Sequence, residues 1–215
     1  KLSDEVHAVY IYSEKQNKEH SEANCKIEFI INNLKLLQKS LDELNIPLTI
    51  FDSEGFHDNP KILLEYVENH SINNVYLNNQ FGADEEQRDK RVGERLKANR
   101  INVHTFDEKV VFAPGNILTG DGRPYSVFTP FKRRWIENFN LDLLDIEFEY
   151  IKKNATKIKS NASKFDFQFK KNNQEDMSLG PTGEAEALSR LETYLDKNIY
   201  RYAEDRNDPI VDGTS

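Results

Sequence analysis

Hydrophobic residues follow two alternating spacings over the first half of the chain. Residues 6–12 form a short, mostly apolar run of the kind found in strands that are buried on both faces. Between residues 23 and 44 the apolar positions recur every three or four residues, which predicts an amphipathic helix. The alternation continues with apolar runs at 48–51, 75–77 and 101–106, separated by predicted helices that begin near Asn59 and Asp84. Strands that alternate with helices favour a parallel sheet with right-handed crossovers, so we predict a doubly wound α/β domain over residues 1–139.

The second half of the chain has a different pattern. Turn-forming glycines and prolines concentrate in residues 114–124, and an aromatic helix with a basic shoulder is predicted after them. Its aromatic stripe, which indicates core packing, is Phe128, Phe131, Trp135 and Phe139, and its basic residues are Lys132, Arg133 and Arg134.

A lysine-rich stretch follows this helix. Residues 151–171 hold seven lysines and one aspartate, a composition typical of a solvated linker. We therefore predict that residues 140–180 connect two domains and that these lysines and the basic shoulder face solvent, with contact to phosphate as the alternative. Glycine and proline break the chain again at 180–183, and an amphipathic pattern follows. Residues 181–215 are predicted to begin a second, helical domain.

Composition narrows the class of protein. The chain carries 29 basic and 37 acidic residues, for a net charge of −8, which disfavours the broad cationic surface of a general nucleic-acid binder. The longest uninterrupted apolar run has five residues, at 8–12, whereas a membrane-spanning helix needs about 20. The single cysteine, Cys25, excludes an intramolecular disulfide, so we expect a reducing compartment, the cytoplasm.

The two ends of the chain suggest that it is a segment. It begins with Lys1 rather than methionine, and its last four residues, 212–215, are of types that start helices, with no helix after them. We expect an interior segment of a longer protein, and the alternative is a processed or engineered terminus.

Several common sites are not encoded locally. The chain has neither a Walker phosphate loop nor a complete GxGxxG fingerprint. Its five histidines are scattered, with no pair at the three- or four-residue spacing of a zinc site. A histidine near Cys25 in the fold would be needed to make that thiol a nucleophile, and the sequence does not indicate one.

The most unusual segment is the predicted helix that begins at Asp84. Eight polar residues, 84–91, come directly after Phe81 and Gly82. Acidic residues at a helix start are favoured by the partial positive charge there, which explains the pattern without a ligand. Alternatively, Asp84 and Glu85 accept hydrogen bonds from a polar heterocycle bound at the carboxyl end of a strand. The pattern alone leaves both interpretations open.

Four longer motifs resemble the DNA photolyase and cryptochrome family, and within it the bacterial-type enzymes that split cyclobutane pyrimidine dimers. They are YLNNQFGADEEQRDKRV at 76–92, VFAPGNILTGDGRPYSVFTPFKRRW at 111–135, GPTGEAEALSRLETYL at 180–195 and YAEDRNDPIVDGTS at 202–215. The motifs occur in the family's order and spacing over most of the chain. The family's first strand and its Arg/Asp-rich opening motif are missing from these residues.

The resemblance implies a light-driven repair enzyme. Members of the family have an amino-terminal α/β domain with an antenna chromophore, a connector, and a helical domain that binds FAD and UV-damaged DNA. Excited, reduced FAD donates an electron to a pyrimidine dimer that is flipped into the pocket, and the dimer splits. For this chain the resemblance implies the α/β antenna domain, the connector and the start of the helical domain. It implies a monomer without membrane contact, and neither a catalytic residue nor a metal in these 215 residues.

The resemblance also assigns individual positions. Tyr202, Thr214 and Ser215 match residues that contact FAD, and His20, Asp84 and Glu85 match residues that hold the antenna chromophore. Folate-binding members typically have asparagine at the position of Asp84, so methenyltetrahydrofolate and a deazaflavin both remain candidates for the antenna. The resemblance leaves two other functions open: a cryptochrome-like photoreceptor without repair activity, and a plain α/β nucleotide-binding module.

Overall fold

The computed structural model describes residues 5–141, 152–167, 179–208 and 210. Its main elements, in chain order, are β1 (Ala8–Tyr12), α1 (Glu14–Glu19), α2 (Asn24–Glu43), β2 (Leu48–Asp52), α3 (Asn59–Asn69), β3 (Asn74–Asn78), α4 (Ala83–Ala98), β4 (Asn102–Phe106), α5 (Phe128–Asn138), α6 (Glu184–Thr193) and α7 (Tyr202–Asp205). The chain divides into two compact units: Lys1–Asp52 with Lys152–Ser215, and Ser53–Ile151.

The first unit is built on β1, β2 and α2. The two strands are parallel, with Ala8 opposite Leu48 and Tyr12 opposite Asp52. The predicted helical stripe is confirmed, because Ile27, Ile31 and Leu34 of α2 are buried in one cluster with residues of both strands. Asn45 ends the helix in the left-handed conformation that asparagine tolerates, at φ 56°, and Pro47 follows it.

The second unit is built on β3, β4, α3 and α4. Its strands are also parallel, with Asn74 opposite Asn102 and Asn78 opposite Phe106. The two helices pack against each other and cover one face of this sheet with a single apolar cluster. The buried members of that cluster are Leu64, Val67, Val92 and Leu96, against which Val75 and Val103 of the strands pack.

The α/β class and the parallel pairing agree with the prediction, whereas the form of the sheet differs. The described residues form two two-stranded sheets, one in each unit, rather than one doubly wound sheet. The alternation of strands and helices predicts that neighbouring strands are parallel, but it does not encode which strands share a hydrogen-bonded ladder.

Residues 152–167, predicted to be part of a solvated linker, are docked on the first unit. Asn154 is only 3% exposed, and its side chain bonds the backbone of Val6. Phe165 and Phe167 pack on the cluster of β1, β2 and α2. The composition predicted a solvated linker because the stretch is rich in lysine, and its lysines are exposed. The residues between the lysines anchor the backbone.

Candidate functional site

Asp84 and Glu85 lie in the first turn of α4, six and seven residues after the end of β3. The helix begins after Gly82, and the backbone N–H of Glu86 donates to the Gly82 carbonyl at 2.8 Å. Glu85 is the third helical residue, a position from which a glutamate can fold back toward the residue before the helix. Its Oε2 occupies the space that a Cβ at residue 82 would need, so glycine there makes room for the carboxylate.

This helix start presents carboxylate oxygens beyond the carboxyl end of a strand. Asp84 is exposed and Glu85 is half-buried. The amide groups at the amino terminus of a helix favour nearby negative charge, and carboxylate oxygens placed there can accept hydrogen bonds. The arrangement suits a ligand that offers N–H donors. It is equally consistent with acidic residues that only stabilise the start of the helix.

The next turn of α4 is held by an arginine. Arg88 Nε lies 2.8 Å from Asp89 Oδ1, and its guanidinium carbon lies 4.8 Å from the centre of the Phe56 ring. Among the described residues, Asp89 Oδ2 is buried without a hydrogen-bond partner. The contact between Arg88 and Phe56 therefore joins α4 to the loop after β2.

His20 lies at the carboxyl end of α1, in the other unit. Its backbone N–H donates to the Gln16 carbonyl at 3.0 Å, and its Nε2 lies 2.5 Å from Gln16 Nε2. Ser13 caps the same short helix directly after β1 by accepting the N–H of Gln16 at 3.1 Å. His20 therefore lies eight residues after the end of β1, with α1 between them. Asp84 and Glu85 are sequence neighbours in the first turn of α4.

Tyr202 is the first residue of α7 and is 43% exposed. The guanidinium carbon of Arg206 lies 5.9 Å from the centre of its ring. Arg201 pairs with the buried Asp205 at 3.1 Å, which fixes the same short helix from within. Thr214 and Ser215, the other two positions assigned to FAD, lie outside the described residues.

Two features were not anticipated from the sequence. One face of the β3–β4 sheet carries three nearly parallel rings: Tyr76 stacks on His104 at 4.6 Å between ring centres and on Phe106 at 6.4 Å. Tyr76 and Phe106 are 62% and 54% exposed. The alternation of aromatic residues in β4, two positions apart and opposite Tyr76, could have indicated this row.

The second feature is a cavity of about 340 Å³ between α2 and the chain around the start of α6. Phe29 and Asn33 line it from α2, and Pro181 and Arg190 line it from the other side. Asn33 Oδ1 accepts the backbone N–H of Gly183 at 3.0 Å, so the turn before α6 is fastened to α2. No local sequence signal pairs residues 150 positions apart.

The described groups with shifted pKa values include the Tyr10 phenol and the Asp121 carboxyl. Burial, and to a lesser extent the neighbouring Tyr12, raises the pKa of the Tyr10 phenol. Hydrogen bonds from Thr119 and then from Arg123 lower the pKa of the exposed Asp121 carboxyl. Neither group belongs to the predicted chromophore positions.

Two further features are absent from the described residues. Their His, Cys, Asp and Glu side chains form no group of three or more that could hold a metal ion. None of the helices in the described ranges combines the length and the apolarity needed to cross a membrane.

Comparison with known proteins identifies related chains. The model of the DNA photolyase family matches residues 1–150. A deoxyribodipyrimidine photo-lyase from Salmonella typhimurium is 29% identical over 217 aligned positions, which include 98% of this chain. The same alignment covers 44% of the Salmonella protein, so the chain spans less than half the length of this relative.

Solved structures share the fold. A bacterial class III photolyase from Agrobacterium tumefaciens superposes with a TM-score of 0.73 at 21% identity, covering 98% of this chain and 43% of that one. An archaeal photolyase from Sulfolobus tokodaii, solved with two FAD molecules, has a TM-score of 0.58 at 16% identity, covering 88% of this chain and 40% of its own.

Proposed function

The chain belongs to the DNA photolyase family, and on that premise we propose that it is the amino-terminal, light-gathering part of a light-dependent DNA repair enzyme. The complete protein is a deoxyribodipyrimidine photo-lyase that splits cyclobutane pyrimidine dimers in UV-damaged DNA. The observation that carries the proposal is the family match over residues 1–150, which extends through the Salmonella relative to 98% of the chain. The name of that relative favours repair over the signalling and nucleotide-binding alternatives.

The proposed antenna position is the start of α4. Asp84 and Glu85 offer carboxylate oxygens there, and a planar heterocycle with ring N–H or amino donors is the class of ligand that they would recognise. Gly82 supports this position because it leaves room for the Glu85 side chain at the helix start. His20, at the carboxyl end of α1, is proposed as a further antenna contact. Methenyltetrahydrofolate and a deazaflavin both meet this description.

The proposed FAD positions are Tyr202, Thr214 and Ser215. Tyr202 fits a contact to FAD, since its half-exposed ring is supported by Arg206 on the short helix α7. Reduced FAD, when bound and excited, supplies the electron that splits the dimer. The role of this chain is to position one side of the FAD and to hold the antenna, and no residue in it is assigned a catalytic step.

The domain organisation is part of the same proposal. Residues 1–139 belong to the antenna domain, 140–180 connect the domains, and 181–215 begin the helical FAD-binding domain. We propose a doubly wound parallel sheet as the architecture of the complete antenna domain. The parallel pairing in each unit supports this arrangement. We also propose a monomer that works in the cytoplasm.

The experiment uses the complete protein, purified in the dark. Its absorption spectrum is recorded before and after its chromophores are extracted, and it is then illuminated with blue light in the presence of an oligonucleotide that carries one thymine dimer. We expect flavin absorption, a second chromophore band and light-dependent repair. Flavin absorption without repair would indicate a photoreceptor instead. A chromophore-free protein that binds nucleotide would indicate the nucleotide-binding module.

A further inference from the structure

Five lysines project from residues 152–167: Lys152, Lys153, Lys157, Lys159 and Lys164, which we call the lysine strip. All five are exposed. The only acidic residue in the same stretch is Asp166. The strip is therefore a local concentration of positive charge on a chain whose net charge is −8.

The backbone under the strip is held in place at its first turn by Asn154. The Asn154 side chain exchanges two hydrogen bonds of 2.8 Å with the backbone N–H and carbonyl of Val6. Its own backbone N–H donates to the Leu44 carbonyl at 2.9 Å, and its carbonyl accepts from Asn45 Nδ2 at 3.0 Å. These bonds fix the chain immediately after Lys152 and Lys153.

A second set of bonds fixes the backbone beyond Lys159. Asn161 Oδ1 accepts the Ile50 N–H at 2.7 Å, and Asn161 Nδ2 donates to the Ile50 carbonyl at 2.9 Å. The Ser160 hydroxyl donates to the Leu48 carbonyl at 2.5 Å. These side chains satisfy backbone groups of β2 that β1 does not use, so the segment closes that edge of the sheet.

Burial alternates along the segment between these anchors. Lys157 and Lys159 are exposed, whereas Ile158 and Ser160 are half-buried. At the far end Phe165 and Phe167 meet the Tyr12 ring edge-on, at 6.2 and 5.2 Å between ring centres. The ammonium groups therefore extend outward from a backbone that is already ordered.

Within the described ranges, none of the five lysines forms an ion pair. Lysines elsewhere in the same unit do: Lys18 lies 2.7 Å from Glu14, and Lys26 lies 2.6 Å from Glu22. Exposed ammonium groups on an anchored backbone suit a polyanion, because binding releases condensed counterions and costs little backbone entropy.

We propose that the lysine strip binds the phosphate backbone of duplex DNA. This inference rests on the proposed function, which makes duplex DNA the polyanion that the complete protein meets. Contacts to phosphate carry no base information, so the strip contributes affinity for any duplex and leaves the preference for damaged DNA unchanged. Gln in place of Lys removes the charge and keeps much of the side-chain length.

The test compares two double variants of the complete protein. Lys157→Gln with Lys159→Gln alters the strip, and Lys18→Gln with Lys26→Gln removes the same charge from lysines already paired with carboxylates. Dissociation constants are measured at several KCl concentrations for a duplex with one thymine dimer and for the same duplex undamaged. Affinity falls as the salt concentration rises, so the slope of log affinity against log salt is negative. We expect this slope to be shallower in the strip variant by about 2 on both duplexes, about 0.9 for each phosphate group that the variant no longer neutralises. The control variant should keep the wild-type slope.

The outcomes separate this inference from the proposed function. An unchanged slope in the strip variant, with dimer repair intact in the wild type, would overturn only the inference that the lysine strip binds DNA. Failure of the proposed function would appear in the wild type as no repair and no preference for the dimer. Wild-type binding to phosphatidylcholine vesicles with phosphatidylglycerol that is lost in the strip variant, with DNA slopes unchanged, would assign the strip to membranes and overturn the DNA assignment.

Discussion

Asn154 and Val6 are 148 positions apart in the sequence and exchange two hydrogen bonds of 2.8 Å, one in each direction. The side-chain amide of Asn154 thus pairs with the backbone of Val6 as a neighbouring strand would. It also donates to the Asn45 carbonyl at 3.2 Å, next to the end of α2. One buried asparagine therefore joins the residues before β1 to the loop that leads into β2.

Replacing Asn154 should loosen the first unit. Asn154→Ala removes three side-chain hydrogen bonds and leaves the partly buried Val6 backbone groups without partners, at a cost of about 2–3 kcal/mol. We expect the Val6 amide to lose its protection from hydrogen exchange in the complete protein. Asn161→Ala removes the two bonds to the Ile50 backbone instead, so it should leave the Val6 amide protected. Equal losses of protection in the two variants would contradict the assignment.

The local spacing of apolar residues was sufficient to predict most helices and strands. It could not predict polar contacts between residues that are far apart in the sequence. The apolar stripe of residues 23–44 predicted α2, and the run at 48–51 predicted β2, because burial imposes a regular spacing on each element. Asn154 has no such signal, since its partners come from residues far away in the chain. At the candidate site, the spacing of Gly82 and Glu85 is visible in the sequence. The role of the glycine depends on a side-chain direction that the sequence does not specify.

The turn before α6 requires glycine for a backbone reason. Gly183 has φ 106°, a conformation that other residues adopt only with strain of about 1–3 kcal/mol. A Cβ there would also lie 2.8 Å from Leu36 Cδ1, but the end of a leucine side chain can move. We therefore expect Gly183→Ala to weaken amide protection at the start of α6. Adding Leu36→Ala should not restore it.

A matched glycine provides the control for that variant. Gly120 has no positive φ, and nothing lies within 4 Å of the position that an alanine Cβ would occupy there. Gly120→Ala should therefore leave the protection of α6 unchanged. Full rescue of Gly183→Ala by Leu36→Ala would show that the clash, rather than the backbone conformation, makes glycine necessary.

Replacing Gly93, in the middle of α4, with alanine should stabilise that helix. A Cβ at Gly93 would meet nothing within 4 Å, and glycine inside a helix is less favourable than alanine by about 0.5–1 kcal/mol. We expect Gly93→Ala to slow amide exchange in α4 by about two- to fivefold. Faster exchange in the variant would mean that the backbone at residue 93 needs the freedom of glycine.

The stability of the loop at 119–123 should depend on pH through the Asp121 carboxyl. The Thr119 hydroxyl donates to Asp121 Oδ1 at 2.6 Å and Arg123 Nε donates to Oδ2 at 2.6 Å, which together hold the Asp121 pKa below its usual value. Because the pKa is lowered in the fold, these bonds stabilise the loop above the ordinary aspartate pKa. That contribution is lost as the pH falls through the lowered value.

Substitution in this loop should reverse the shift. We expect Thr119→Val to raise the Asp121 pKa more than Arg123→Gln does, because the threonine bond has the larger effect. Carboxyl NMR titration of the complete protein measures both. Thr119→Ser, which keeps the hydroxyl, should retain the low pKa, and the exposed Thr105→Val should have no effect on it. A Thr119→Val protein with the wild-type Asp121 titration would contradict the assignment.

The antenna position can be separated from the helix start on which it lies. Removing any acidic residue from the first turn of α4 weakens its interaction with the helix dipole by about 0.3–1 kcal/mol. Asp84→Ala and Glu85→Ala should in addition lower the amount of antenna chromophore per flavin in the purified complete protein, because they remove its hydrogen-bond acceptors. Glu86→Ala removes an equal charge from the same turn and should leave that ratio unchanged. If all three variants lowered the ratio equally, the acidic residues would serve the helix alone, and the proposed antenna position would be wrong.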